Sequence, residues 1–453
     1  MSYFDAINYL YGLQKYGIKL GLEKTGEILA QLGDPQRRFP SVHIAGTNGK
    51  GSVSAMISSM LAAGGYEIGL FTSPHLVSFT ERIRINNRQI SEAEVIRLTE
   101  EIRDKISNPA AREFDPTFFE FVTAMAFLHF QRNRIDWAVI ETGMGGRLDA
   151  TNTVTPEVAV ITRISYDHRE FLGAALPDIA AEKAGIIKRG VPVVCAAQEQ
   201  EAEEVIRAAA REKSAALFMY GKDFGGELLS SGLEGITFTY HDDAGTIPDL
   251  YAPLAGEHQL INACLALKAA TLALKNSNEL LRKGLASTRW PGRLDMVSED
   301  PPIMIDGAHN PDAAAALSVF IRQHLGGRRL ILIMGVMADK DVGGILNPLL
   351  PLASEIIFTA PDYGRAASPA TLAGHAAAQG ISRVHTAPTV REAIGLAIKI
   401  SNESSPPQPT LGKGGSEGGY SSLILITGSF YTIGEAMEAL GEKATLGSLR
   451  ETL

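Results

Sequence analysis

Two textures alternate along most of the chain. Short apolar runs with few polar positions, Val42–Ala45, Ile68–Thr72, Trp137–Glu141 and Val158–Ile164, read as strands buried on both faces. Between and around them, Tyr3–Tyr11, Leu22–Leu32, Val53–Leu61, Ser91–Ile106, Thr117–Phe130 and Pro177–Ala184 carry apolar residues at helical spacing, with Asp34-Pro35 breaking the second helix. Strand and helix signals keep alternating to about residue 219. That order predicts a doubly wound α/β unit with a mainly parallel sheet. From Phe224 to Tyr251 the texture changes to short runs punctuated by Gly and Thr, the signature of a small antiparallel β addition. Glu257–Lys275 then returns to a helix, with Asn262 at its polar edge.

Two breaks follow, Trp290-Pro291-Gly292-Arg293 and Glu299-Asp300-Pro301-Pro302. They divide the chain into a first domain over 1–292, a linker over 293–300 and a smaller second domain over 301–453. The second domain alternates again. Its expected strands are Ile303–Asp306, Arg329–Gly335, Glu355–Thr359, Arg383–Thr386 and Leu423–Thr427. Its expected helices are Asp312–His324, Asp341–Leu350, Pro369–Ala378, Val390–Ile400 and Ile433–Leu440, which makes the domain Rossmann-like. Ser404–Tyr420 is rich in Gly, Ser and Pro and reads as a flexible surface loop; Gly412-Lys413-Gly414 within it has no strand leading in.

Composition narrows the class. A length of 453 residues fits two or three domains, and 45% hydrophobic with 21% charged residues is the balance of a soluble globular protein. No apolar run is long enough to cross a bilayer, and the N-terminus lacks the basic flank and apolar core of a secretion signal. Cys195 and Cys264 are the only cysteines, which fits a reduced cytoplasm. A net charge of −9 argues against nucleic acid as a partner. An anionic ligand would have to be held by local basic groups, helix ends and metal.

Candidate chemistry gathers where strands end. Gly46-Thr47-Asn48-Gly49-Lys50-Gly51-Ser52 lies between a strand and a helix. Such a turn closes backbone N–H groups around phosphate, with Lys50 reaching the outer phosphates and Ser52 approaching Mg²⁺. The spelling departs from G-x-x-x-x-G-K-[ST], because the glycines are closer together and Gly51 separates the lysine from Ser52. Glu141 ends a strand before the glycine-rich loop Thr142–Asn152, a placement that suits Mg²⁺ coordination as well as a solvated terminus. Ser73 and His75 follow one strand and His168 another; each is a surface turn residue or a ligand of metal or substrate. Lys183 near a helix end is an ordinary charge on the bland reading. Phe118, Phe119 and Phe121 are either core or the wall of a flat heteroaromatic ligand. Asp306-Gly307-Ala308-His309-Asn310-Pro311 joins the second domain's first strand to its first helix, with Asn310 as cap, Pro311 at the first helical position, and Asp306 and His309 left for chemistry.

Taken together and in order, these segments resemble the folylpolyglutamate synthases and bifunctional dihydrofolate synthases of the Mur ligase superfamily. The resemblance also covers Thr72–Leu76, Leu172-Gly173, Glu182–Ile186 and Pro291-Gly292-Arg293. It implies a P-loop-containing doubly wound domain and a C-terminal glutamate ligase domain. It further implies ATP-dependent joining of L-glutamate to a folate or dihydropteroate carboxylate through an acyl phosphate. On the residues it implies that Thr47, Asn48, Gly49, Lys50, Gly51 and Ser52 hold the triphosphate and that Asn262, Arg293 and Asp306 contact the nucleotide. Ser73 and Glu141 match ligands of one Mg²⁺ and His168 a ligand of a second. Lys183 matches a lysine that is carbamylated in the superfamily. Thr117, Phe119, Asp149 and Ala150 match a pterin pocket, and His309 a residue near ATP and the incoming amino acid. The expected partners are these small molecules alone, with no nucleic acid and no membrane, for a monomer.

Overall fold

The computed structural model describes residues 1–17, 21–106, 116–274, 277–403 and 422–441. The expected loop over 404–420 lies outside them. The chain divides into two compact units, a first through Trp290 and a second beginning at Pro291.

The first unit is built on an eight-stranded sheet. Across it run Arg88–Gln89, Ile83–Ile85, Ile68–Phe71, Trp137–Glu141, Ser41–Ala45, Val158–Ile161, Val193–Cys195 and Leu217–Met219. The last six are parallel. The two edge strands form an antiparallel hairpin that the apolar pattern did not announce, because three of their five residues, Arg84, Arg88 and Gln89, are polar. Successive residues of a strand point to opposite faces. Trp137 and Val139 enter one core with the helices Lys50–Ala63, His258–Ala273 and Asn278–Ala286, while Ala138 and Ile140 enter another with Phe118–Arg132. Burial on both faces explains the uninterrupted apolar runs. Phe224–Gly232, Gly235–Asp242 and Gly245–Ala252 form the expected separate antiparallel sheet.

The helix Lys50–Ala63 is buried from Gly51 to Leu61, all round rather than along one stripe. The large sheet covers one side, and the helices His258–Ala273 and Asn278–Ala286 pack against the rest. Its N-terminus therefore meets the strand edge as a rigid fixture.

The second unit has a six-stranded sheet in the order Asp295–Glu299, Pro302–Ile305, Leu423–Thr427, Leu330–Met334, Glu355–Phe358 and Val384–Thr386. All neighbours are parallel except the first pair. The expected linker over 293–300 is thus corrected in part: Asp295–Glu299 is an antiparallel edge strand, turning at Asp300-Pro301 onto Pro302–Ile305. The helix expected over Asp341–Leu350 shortens to Val342–Leu346: Asn347 keeps helical dihedrals, but Pro348 has no N–H to continue the hydrogen-bond ladder.

Candidate active site

Four neighbouring parallel strands, Ile68–Phe71, Trp137–Glu141, Ser41–Ala45 and Val158–Ile161, end on the same edge of the first sheet. That edge is where ligands of open α/β sheets bind. The ends deliver, in order, Ser73, Glu141, the glycine-rich turn 46–49 and the segment holding Asp167 and His168.

The turn is anchored before any ligand arrives. Thr47 and Asn48 N–H both donate to Arg163 O, at 2.9 and 3.2 Å. Thr47 Oγ1 donates to Ser165 O at 3.0 Å and accepts from Ser165 N at 3.1 Å. These two N–H groups are thereby occupied. The first helical hydrogen bond runs from Val53 N to Gly49 O, so N–H groups 50–52 have no acceptor in their own helix. An anion held at this turn would meet the first helical turn and its partial positive charge.

The glycine spacing has a steric cause. Gly46 has φ 151° and lies so close to Thr162 that a methyl group would overlap the Thr162 hydroxyl. Gly49 has φ 90° and sits against Asn262 Oδ1. Gly51, the departure from the usual P-loop spelling, lies beneath the Trp290 indole, where a Cβ would come within 2.8 Å of the ring nitrogen. Gly46→Ala is expected to lower stability by about 1–3 kcal/mol, the usual cost of overpacking a filled site. A thermal melt unchanged from the parent would contradict this packing.

Lys50 Nζ donates to Thr47 O at 3.2 Å and stands 4.0 Å from Glu141 Oε1. Glu141 is only 4% exposed and accepts from Ser73 N at 3.4 Å. Ser73, Glu141 and Lys50 are thus brought together. Lys183, on the helix Leu176–Ala184, is buried and donates from Nζ to Gly46 O at 2.8 Å. Burial, reinforced by the Lys50 charge and opposed by Asp167 and Asp149, pushes its amine down to about 7. Asp167 Oδ2 lies 3.6 Å from His168 Nε2, and His168 adopts φ 50° before the short helix Arg169–Leu172.

Among the described residues no three His, Cys, Asp or Glu side chains form a self-sufficient metal cage. A buried carboxylate beside a lysine and a serine suits instead a hard cation that arrives with phosphate and keeps its waters, the habit of Mg²⁺. The donor set fits that ion.

Structure separates the phenylalanines. Phe118 and Phe121 are core, 2% and 0% exposed. Phe119 is half-buried, stacks on Phe71 at 5.8 Å and covers Gly143. Thr117 caps the helix Phe118–Arg132, its hydroxyl accepting from Glu120 N at 3.3 Å. Asp149 is buried and caps the turn Ala150–Thr153, accepting from Thr151 N at 3.0 Å and Met144 N at 2.9 Å. Burial raises its carboxyl above the usual range, against those hydrogen bonds. Ala150 is buried beside it.

His75 was a candidate ligand. Its Nδ1 accepts from Arg82 Nε at 2.8 Å, and Nε2 lies 3.3 Å from the Tyr11 hydroxyl. Burial, with the Arg82 charge second, holds the ring well below its usual range. Sequence gives no sign of Arg163, whose carbonyl anchors the glycine-rich turn, or of Trp290 packing over Gly51. A main-chain acceptor leaves no mark in residue identity.

The second unit gathers its own set. Asp306 is buried, accepts from Leu294 N at 3.0 Å and Ala308 N at 2.9 Å, and has its carboxyl raised by burial against the Arg293 charge. Arg293 lies over the Phe430 ring at 4.7 Å, and His309 packs on the same ring at 5.0 Å. His309 Nδ1 bonds Gly307 O at 2.8 Å; a carbonyl only accepts, so Nδ1 carries a proton. Asn310 Oδ1 caps the helix Pro311–Phe320 as expected, accepting from Ala313 N.

Comparison with known proteins agrees with this architecture. The Mur ligase middle domain family matches residues 44–270, and the Mur ligase glutamate ligase domain family matches 292–407. A Bacillus subtilis dihydrofolate synthase/folylpolyglutamate synthase is 36% identical over 97% of this chain and 99% of its own. The Mycobacterium tuberculosis folylpolyglutamate synthase complexed with ADP superposes with TM-score 0.88 and 34% identity, covering 98% of this chain and 100% of that one. Escherichia coli FolC, solved in complex with DHPP and ADP, superposes with TM-score 0.84 and 30% identity over 97% of this chain and 98% of its own. The chain belongs to the Mur ligase family and is an ATP-dependent ligase of its folylpolyglutamate/dihydrofolate synthase group.

Proposed function

We propose that the chain joins L-glutamate to the carboxylate of dihydropteroate, of a folate, or of both. The observation that carries this reading is the meeting, on one sheet edge, of a helix N-terminus with Lys50, a buried Glu141 and a half-buried stacked Phe119. In the first step a carboxylate oxygen attacks the γ-phosphorus of ATP, giving an acyl phosphate and ADP. In the second the glutamate amine attacks the acyl carbon, phosphate leaves and the amide forms. Without the first step the leaving group would be oxide, which departs badly.

Lys50 and N–H groups 50–52 bind the triphosphate and offset the charge that builds on the transferring group, the main contribution a protein makes to phosphoryl transfer. Asn262, Arg293 and Asp306 are proposed as nucleotide contacts. Phe119, Thr117, Asp149 and Ala150 are proposed as the wall for the pterin ring. His309 is proposed to sit near ATP and the incoming amino acid and to assist removal of the amine proton. Ser73 and Glu141 would hold one Mg²⁺, and His168 with a carbamylated Lys183 a second. When bound, the ion supplies positive charge beside the phosphate oxygens. Among the described residues no helix is long and apolar enough to cross a membrane, and the enzyme is proposed to work as a monomer in the cytoplasm.

The test measures ADP release with glutamate and a pterin carboxylate omitted in turn, and weighs the product. ADP release is expected to need the pterin carboxylate, and the product to gain one glutamyl residue per ADP. Release that ignores both substrates would favour an NTPase switch and overturn the ligase reading.

A further inference from the structure

We infer that His43 is a positioning residue that locks the phosphate strand to the proposed pterin wall and so sets the distance between the two substrates. The inference rests on the pocket reading given above. His43 lies on the strand Ser41–Ala45, three residues before Gly46, and is 0% exposed. Its strand neighbours Val42 and Ile44 are core. A leucine or phenylalanine would meet the needs of packing there.

The ring instead reaches across to the loop after Glu141. His43 Nε2 lies 2.8 Å from Thr151 Oγ1, and Thr151 Oγ1 lies 2.5 Å from Asp149 Oδ1. A hydroxyl has one proton to give. Thr151 Oγ1 gives it to Asp149 Oδ1 and so accepts from His43, which puts the ring's proton on Nε2. Burial, with the Lys188 charge second, pushes the ring down to about 3 and keeps it neutral. Nδ1 is then a buried nitrogen with no partner among the described residues. Such an orphan is unfavourable. A position chosen for stability alone would not keep it.

The same loop is tied on its other side to the helix bearing Lys183. Asn152 Nδ2 donates to Arg147 O at 2.9 Å and to Gly185 O at 3.1 Å, and Arg147 N donates to Glu182 O at 2.7 Å. Lys188 Nζ donates to Asn152 O at 3.2 Å. His43 supplies a side-chain tie from Thr151 to the strand that feeds the glycine-rich turn, in addition to the main-chain bond from Thr142 N to Ile44 O at 2.9 Å at the start of the loop. Asp149 and Ala150 are thereby held in fixed register with Gly46.

Four variants test this: His43→Phe, His43→Gln, Thr151→Val and Ala150→Leu. Each is assayed for the KM of the pterin carboxylate, the KM of ATP and thermal melting. His43→Phe and Thr151→Val are expected to raise the pterin KM about tenfold, with the ATP KM within about twofold, as misplacement of a binding wall does. His43→Gln, whose amide N–H takes the place of Nε2–H, should recover most of that loss. A His43→Phe enzyme that melts lower but keeps its pterin KM overturns the inference; so does an equal rise in both KM values, or a glutamine no better than phenylalanine. If His43→Phe does not fold, the comparison of His43→Leu with His43→Gln decides, since Thr151→Val also removes the hydroxyl that holds Asp149. Ala150→Leu separates the premises. Should it leave the pterin KM unchanged, the pocket reading fails and takes the inference with it; should it raise the KM while His43→Phe does not, the inference fails alone.

Discussion

Lys50→Ala is expected to reduce ADP formation by at least about a hundredfold to a thousandfold while the protein stays folded, the scale seen when one aligned charge-stabilising donor is removed. The fold has little at stake. Lys50 Nζ makes one hydrogen bond to the neutral Thr47 carbonyl and stands 4.0 Å from Glu141. A single such bond contributes about 0.5–1.5 kcal/mol net, and alanine is a good helix former at the start of Lys50–Ala63. Glu141 keeps the Ser73 N–H. Reaction has far more at stake. Negative charge moves onto the transferring phosphoryl group, and the overall charge of −9 gives it no help. The ammonium must supply the offset locally, beside a Glu141 that is only 4% exposed. Single-turnover ADP release beside a thermal melt separates the two effects. Near-normal turnover by the variant would remove the phosphate-turn assignment; a collapsed melt would show that the lysine acts through the fold.

The parts of this site legible in sequence share one property: they are punctuation at strand ends. Gly46, Gly49, Lys50, Ser73 and Glu141 interrupt apolar runs, and a parallel sheet brings such interruptions to one edge. The second unit's Asn310-Pro311 was legible for the same local reason, a cap followed by proline. What escaped depends on contacts remote in sequence. The hairpin Ile83–Ile85 with Arg88–Gln89 is too short for a periodic signal. Asp295–Glu299 alternates weakly and looked like linker until its partner strand was known. His43 sits inside a strand with nothing beside it to set it apart, and its hydrogen-bond partner is 108 residues away. Phe119 differs from Phe118 and Phe121 only in the way its ring faces, which identity does not encode.

Lys183→Met should abolish the second large effect, a dependence on dissolved CO₂. The amine is 4% exposed, and burial chiefly, with the Lys50 charge, brings it down to about 7. Near neutral pH a large fraction is therefore the uncharged amine, the form with a lone pair for CO₂. The proposed modification is R–NH₂ + CO₂ → R–NH–COO⁻ + H⁺, which leaves one N–H to keep the bond to Gly46 O and turns a cation into an oxygen donor suited to Mg²⁺. Activity in CO₂-depleted buffer is expected to fall about tenfold or more and to return with bicarbonate, while Lys183→Met loses about a hundredfold and ignores bicarbonate. Stability gives an independent reading. An unfolded lysine titrates at 10.5 and the folded one at about 7, so between those pH values the unfolded chain binds more protons. Without CO₂, the penalty is full below pH 7 and is relieved as pH rises toward 10.5, at most about 1.4 kcal/mol per pH unit. The melting difference between parent and Lys183→Met should shift in the parent's favour across that window. A difference that stays flat would mean that the lysine remains charged and paired, and bicarbonate-independent activity would remove the carbamate from the site.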